Sequence, residues 1–218
     1  MRRHRLYREP AAEPPRLLLA TGNAGKLREY RALLAELPLR LLAPADLGLE
    51  ALDPEETGDS FEANAILKAR AFAAAAGLPA LADDSGIEVD ALGGFPGIRS
   101  ARWVAGSDAD RVQALLDRLA AVPDPERGAR FRAVVALAWP DGRVVTAAGQ
   151  VAGRIAWAPA GAGGFGYDPI FRVEDGGHQG ELTSAELPPD EKNRLSHRAR
   201  ALQGLQGSLR ALAGAEPA

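Results

Sequence analysis

Arg16–Lys26 reads RLLLATGNAGK, and Leu27, Leu33, Leu34 and Leu37 follow it at helical spacing. The apolar half has the length of a strand, the Gly-containing half reads as a turn, and the leucines mark one face of a helix. Strand, turn and helix in that order open an α/β fold. Working outward, Leu39–Leu42 is a second strand candidate and residues 44–58 form a loop rich in Pro, Gly and acid. Asp59 is placed to cap a helix with Glu62 as its capping-box partner, and Gly77 is placed to end it. Its apolar stripe is Phe61, Ala65, Phe72 and Ala76, while Asn64 and Lys68, four apart, share another face. Residues 79–97 read as a strand, a turn around Asp83–Gly86, a short strand and a second Gly/Pro loop.

Farther along, Ser107 and Asp110 open a helix carried by Val112, Leu115, Leu116 and Leu119. Arg130–Trp139 and Arg143–Val151 flank Pro140-Asp141-Gly142 as a hairpin. A glycine-rich loop at residues 161–171 runs into a short strand, and a last helix starts near Ser196. Helices interleaved with strands, plus one hairpin, predict an α/β fold: a mixed central sheet flanked by helices. One domain is expected over residues 16–213, with residues 1–15 a flexible N-terminal extension.

The composition excludes several functions. There is no cysteine, so thiolate metal sites, disulfides and cysteine nucleophiles are ruled out. A net charge of -3 is a poor match for bulk binding to nucleic acid, which needs a cationic excess. No apolar run approaches the roughly 20 residues that span a bilayer. The basic, Pro-rich start has no apolar h-region of a secretory signal, and a cytoplasmic location away from membranes is expected. Of 26 Lys and Arg residues only Lys26, Lys68 and Lys192 are lysines; each lies within four residues of one of the three asparagines, Asn23, Asn64 and Asn193. Arg supplies the generic charge, so lysine is reserved for positions that want a compact point charge, such as phosphate ligands.

Four groups of residues carry candidate chemistry. Thr21, Gly22, Asn23, Ala24, Gly25 and Lys26 lie between a strand and a helix, where loop amides and a helix N-terminus cradle phosphate. The turn is not a P-loop: Ala20 stands where the first Gly belongs and Leu27 where the Ser/Thr metal ligand belongs. Glu55-Glu56 and Asp83-Asp84 are acid pairs on separate segments, a pattern suited to Mg2+ shared with a substrate phosphate, or to activating a water. Lys192, Asn193, Ser196, His197 and Arg198 gather near the last helix, with Arg198 able to donate a fork of hydrogen bonds to a carbonyl. In GGFGYDP, either Phe165 or Tyr167 is suited to stack on a base and Asp168 to accept from a ring N–H. A phosphate cradle, three ammonium groups, paired acids and an aromatic face together describe a nucleoside triphosphate site, because a triphosphate carries about four negative charges.

In this order, LATGNAGKLREY (Leu19–Tyr30), ETGDSFEANAILKARAFA (Glu56–Ala73), LADDSGIEVDALGGFPGIRSARW (Leu81–Trp103), PAGAGGFGYDPIF (Pro159–Phe171) and EKNRLSHRARAL (Glu191–Leu202) resemble the inosine/xanthosine triphosphate pyrophosphatase family. The resemblance spans about Leu17 to Leu212. It implies an elongated two-lobed fold with a cleft between the lobes, a homodimer, and Mg2+-dependent hydrolysis of deaminated purine nucleoside triphosphates (ITP, dITP, XTP) to the monophosphate and pyrophosphate. It also implies that Thr21–Lys26 hold phosphates, with Lys68 and Lys192 adding charge. By the same resemblance Glu55 and Asp84 hold the metal, Asp84 accepts a proton, and Lys68 takes part in catalysis. Ser85, Phe165, Gly166, Tyr167, Asp168, Lys192, His197 and Arg198 would be the substrate contacts. Two other readings stand beside it: a pyrophosphatase for pyrimidine or other modified nucleotides, and a non-catalytic nucleotide-binding module.

Overall fold

The computed structural model describes residues 13–214, so most of the expected N-terminal extension lies outside the described residues. Strands β1 (Arg16–Leu19), β2 (Arg40–Leu42), β3 (Ala80–Val89), β4 (Gly128–Ala138), β5 (Val144–Ile155) and β6 (Phe171–Val173) form one sheet in the order β2-β1-β3-β4-β5-β6. β2, β1 and β3 are parallel; β3 through β6 pair antiparallel. The sheet is therefore mixed, as expected. The hairpin lies at its predicted place between β4 and β5.

Helices cover the parallel half on both faces. α2 (Phe61–Ala76) packs Phe61, Ala65, Ala69 and Phe72 against Ala80, Ala82 and Val134. On the other face α1 (Ala24–Leu33) and α5 (His197–Leu212) enclose Leu17, Leu19, Leu81 and Leu137. A separate core lies at the far ends of β3–β5, where α3 (Asp108–Arg118) and α4 (Pro189–Leu195) contribute Leu115 and Leu195 beside Ile87, Ile155 and Phe171. Two lobes thus share the long strands β3, β4 and β5.

Local sequence accounts for the helix boundaries, with one correction. The cap of α2 is Ser60, whose hydroxyl accepts from the Ala63 amide at 3.2 Å, rather than Asp59. Glu62 is turned away and accepts from the Thr146 hydroxyl at 2.6 Å. Gly77 ends the helix at φ 61°, as its position implied. Ser107 and Asp110 open α3 as expected, and they do so as a capping box. α5 lies unusually close to β5: a Cβ on Gly149 would sit 2.2 Å from the His197 carbonyl oxygen. The missing side chain lets the first turn of α5 descend onto the sheet.

The expectation for residues 79–97 needs a second correction. Asp83–Gly86 is no turn. β3 runs unbroken from Ala80 to Val89, paired along its whole length with β4.

Candidate active site

β3 is the spine of the site. β1 ends at Leu19 and pairs only with Ala80 and Leu81 of β3, so from Asp83 onward one edge of β3 opens toward the turn that follows β1. That place, outside the carboxyl end of a parallel strand, is where open α/β sheets bind ligands. Strand side chains alternate between faces. Ala80 and Ala82 face α2 while Leu81 faces α1 and α5. The two acids continue the alternation, one to each face.

Asp84 turns toward α2. Its Oδ2 accepts from Asn64 Nδ2 at 3.0 Å, and Asn64 Oδ1 accepts from the Gly58 amide at 2.8 Å. Lys68 Nζ lies 3.5 Å from Asp84 Oδ1 and 2.6 Å from Glu56 Oε1; Arg102 closes on the other Glu56 oxygen. Burial pushes the Asp84 carboxyl above its ordinary range, and Lys68 offsets this only in part. Burial acts the same way on Glu56, but hydrogen bonds from Lys68 and Arg102 overrule it and hold that carboxyl low.

Glu55 does not reach this group. Residues 51–58 alternate in exposure, which turns Glu55 outward and Glu56 inward. The acid gathered with Asp84 is Glu56. Both carboxylates meet one ammonium, and among the described residues no three acids or histidines form a protein-only metal cage. A pair of carboxylates opening on a substrate cleft is the donor set Mg2+ uses when phosphate oxygens and waters complete its shell.

Asp83 turns the other way. Its Oδ2 lies 3.0 Å from Lys26 Nζ and accepts from Arg198 Nε at 3.1 Å and from Ser85 Oγ at 2.8 Å. Burial opposes its charge, yet Lys26 and Arg198 overrule burial and hold the carboxyl well below its ordinary range. Arg198 also donates to Glu29 at 2.9 Å and to Ser85 Oγ at 2.8 Å. Lys192 pairs with Glu29 and, at 2.9 Å, with Asp168. Burial works against both cations, but Asp83 and Glu29 keep Arg198 charged, and Asp168 and Glu29 keep Lys192 charged. His197 stacks on Phe131 at 5.1 Å between centroids. Burial, reinforced by Arg198, drives its pKa well down and leaves the ring neutral.

The glycine-rich loop completes the wall. Asp168, 4% exposed, uses Oδ2 to accept from the Phe165 amide at 2.8 Å, so it holds the loop as well as Lys192. Asp108 accepts from the Gly166 amide at 2.8 Å. Tyr167 is buried; its hydroxyl donates to the Ser100 carbonyl at 2.8 Å and accepts from Trp103 Nε1 at 2.7 Å. Tyr167 therefore locks the loop, and Phe165 is the less buried aromatic of the two and lines the cleft. Lys192 and Arg198 lie 5.1 and 5.3 Å from the Phe165 ring centre. A Cβ on Gly25 would meet that ring at 2.5 Å, so Gly25 makes room for Phe165.

At the mouth, Asn23 caps α1 by accepting from the Lys26 amide at 3.0 Å, and Thr21 Oγ1 accepts from the Asn23 amide at 3.2 Å. Gly22, Asn23 and Ala24 are exposed there. The cleft holds about 220 Å³ and is lined by Lys26, Glu56, Asp84, Ser85, Phe165 and Arg198, among others. A wider groove of about 790 Å³ between α1, α4 and α5 takes in only Asn193 of the candidate residues. Lys26 lines the cleft, and the other two lysines pair with acids that line it, Lys68 with Glu56 and Asp84 and Lys192 with Asp168.

Sequence reasoning missed Glu29, Arg102 and Asp108 and gave Asp83 no role of its own. Glu29 had a signal, since it falls three residues after Lys26 and four before Leu33 on the inward face of α1. Arg102 and Asp108 lie in loop and helix-start sequence with no periodicity to mark them.

Comparison with known proteins places this geometry. Residues 17–207 match the model of the Ham1 family. The chain is 56% identical over 187 residues to a dITP/XTP pyrophosphatase of Symbiobacterium thermophilum, covering 86% of this chain and 91% of that protein. It is 50% identical to a dITP/XTP pyrophosphatase of Thermus thermophilus, covering 87% and 89%. Among solved structures, a HAM1 protein from Coxiella burnetii superimposes with a TM-score of 0.78 at 41% identity, over 90% of this chain and 99% of that one. A nucleoside-triphosphatase / dITP/XTP pyrophosphatase from Mycobacterium abscessus gives 0.66 at 46% identity, over 87% and 98%. With its five motifs gathered around one cleft and its family model spanning nearly the whole chain, the protein belongs to the Ham1 family.

Proposed function

We propose that this chain hydrolyses deaminated purine nucleoside triphosphates (ITP, dITP and XTP) to the monophosphate and pyrophosphate. The observation that carries the reading is the charge pairing in and behind the walls of the cleft. Five cations, Lys26, Lys68, Arg102, Lys192 and Arg198, are held by five carboxylates, Glu29, Glu56, Asp83, Asp84 and Asp168. Such an array is preorganised for a polyanion and needs little rearrangement to receive one. The names of the relatives, at half or more identity over most of their length, support dITP and XTP among these substrates.

In this proposal the phosphates lie along the Thr21–Lys26 turn, between Lys26 and Lys68. Glu56 and Asp84 would hold Mg2+, which when bound would supply charge neutralisation for the phosphates. Asp84, oriented by Asn64, accepts the proton of the attacking water. Lys68 offsets charge that builds on the phosphate as the bond to pyrophosphate breaks. The base lies against Phe165, with His197 and the two uncommitted N–H groups of Arg198 at its 6-keto edge. Adenine carries an amino group there and would leave buried donors unpaired, which is how a polar site rejects strongly. The homodimer and the cytoplasmic location implied by the resemblance belong to the same proposal; light scattering of the purified chain tests the first.

The deciding experiment is product analysis with ITP, XTP, GTP, ATP and dTTP, with and without Mg2+. Pyrophosphate and monophosphate released selectively from ITP and XTP, only with the metal, is the expected result. Orthophosphate release, or no turnover, overturns the reading.

A further inference from the structure

We propose that Asp83 is a positioning residue that couples the phosphate grip to the base reader, an inference that rests on the nucleotide reading above. Asp83 is not itself in the cleft lining, and its side chain is 0% exposed. Yet Lys26, Ser85 and Arg198, the three groups its Oδ2 holds, all line the cleft. They come from the first turn of α1, from β3 and from α5, and among the described residues no other single atom joins them.

The physical case is electrostatic. Lys26 and Arg198 are like charges brought together out of water, and each disfavours the charge of the other. Substrate phosphate would relieve that repulsion, but only after binding. Asp83 relieves it beforehand. Glu29 does not substitute, because it reaches Arg198 through a different nitrogen and pairs onward with Lys192 rather than Lys26. The second Asp83 oxygen is buried and has no hydrogen-bond partner among the described residues. A carboxylate kept solely for stability would use both oxygens, since an unpartnered buried acceptor is costly. Here the carboxylate concentrates its three donors on the one oxygen that faces the site residues. Displacing that oxygen would move the phosphate lysine and the base-reading arginine together.

The test compares wild type, Asp83→Asn, Arg198→Ala and the double variant on ITP and ATP. Asp83→Asn keeps the shape and removes the charge. It should keep a cooperative melt and native circular dichroism. Misplacement of reacting groups by about 1 Å costs on the order of 100-fold, and a loss of that size is expected in kcat/KM for ITP. The preference for ITP over ATP should narrow about tenfold, the size of one lost polar contact. A general loss of structure would not move that ratio. In the Arg198→Ala background, Asp83→Asn should leave the ratio where Arg198→Ala alone puts it. A natively folded Asp83→Asn with wild-type preference overturns the inference, as does a further narrowing of the preference in the double variant. Should Asp83→Asn not fold, Asp83→Glu, which keeps the charge but shifts it by a methylene, must narrow the preference; an unchanged preference overturns the inference equally. Failure of wild type to hydrolyse ITP would instead overturn the underlying reading.

Discussion

Asn64 holds Asp84 from one side while its own oxygen is tied to the Gly58 backbone, so the direction of the Asp84 carboxylate is set by helix α2. Both residues are buried, Asn64 at 0% exposure. If Asp84 takes the proton of the attacking water, Asp84→Asn should lower kcat by about 1000-fold or more with the melting temperature nearly unchanged. Asn64→Ala should cost about 10- to 100-fold in kcat, as a misaimed base does. Steady-state kinetics beside thermal melts check both. Retained turnover in Asp84→Asn removes that residue from the chemistry.

The inward turn of Glu56 separates it from its neighbour. Glu56→Gln should raise the Mg2+ concentration for half-maximal activity by about 10- to 100-fold, whereas Glu55→Gln should leave it unchanged. A Mg2+ titration of both variants at saturating ITP decides the matter, and the reverse order would return the metal to Glu55.

Asp108 anchors the Gly166 amide from a position outside the chemistry, at the first turn of α3. Removing the anchor frees the Phe165 loop without touching Asp84. Asp108→Ala should raise KM for ITP several-fold, by the worth of about one hydrogen bond, with kcat little altered. Asp108→Asn retains an acceptor and should restore most of the affinity. A fall in kcat alone would contradict the anchoring role.

Asp175 gives a test of stability against pH. Hydrogen bonds from Arg200, then from the Gly176 and Ala152 amides, hold its carboxyl down at about 2. A folded pKa below the unfolded value favours folding above the unfolded pKa, and the benefit vanishes as pH falls through the folded one. Asp175→Asn should therefore melt below wild type at neutral pH. The gap should close between about pH 4, the unfolded range for Asp, and about pH 2. The Asp175 and Arg200 side chains are partly exposed, so the gap is expected to be small and to shrink in high salt. A gap independent of pH would assign the effect to packing.

The element order was legible because it rests on local chemistry. The leucines of β1, the capping box of α3 and the Pro140-Asp141-Gly142 hairpin each declare themselves within a few residues. Asp83–Gly86 misled for the same reason: two acids, a serine and a glycine carry turn chemistry locally. Only partners distant in sequence, Lys26 and Arg198 on one face and Asn64 and Lys68 on the other, make those acids tolerable inside a strand. The site residues were visible as motifs, but their roles were not. Nothing in PEETG tells which glutamate points inward, and nothing in FGYD tells that Tyr167 is a lock. Arg102 and Asp108 matter through contacts with segments 46 and 58 residues away, a distance no local pattern encodes.

The opposed faces of Asp83 and Asp84 have an evolutionary consequence. The groups assigned to cleavage answer to α2, and the groups assigned to choosing the base answer to α5. Changes in α5 can retune which nucleotide is accepted, and through Asp83 how Lys26 meets its phosphates, while Asp84 and its α2 partners are inherited intact; a lineage can drift in metal preference through α2 without forgetting its base. One dipeptide in one strand makes the two traits separately mutable.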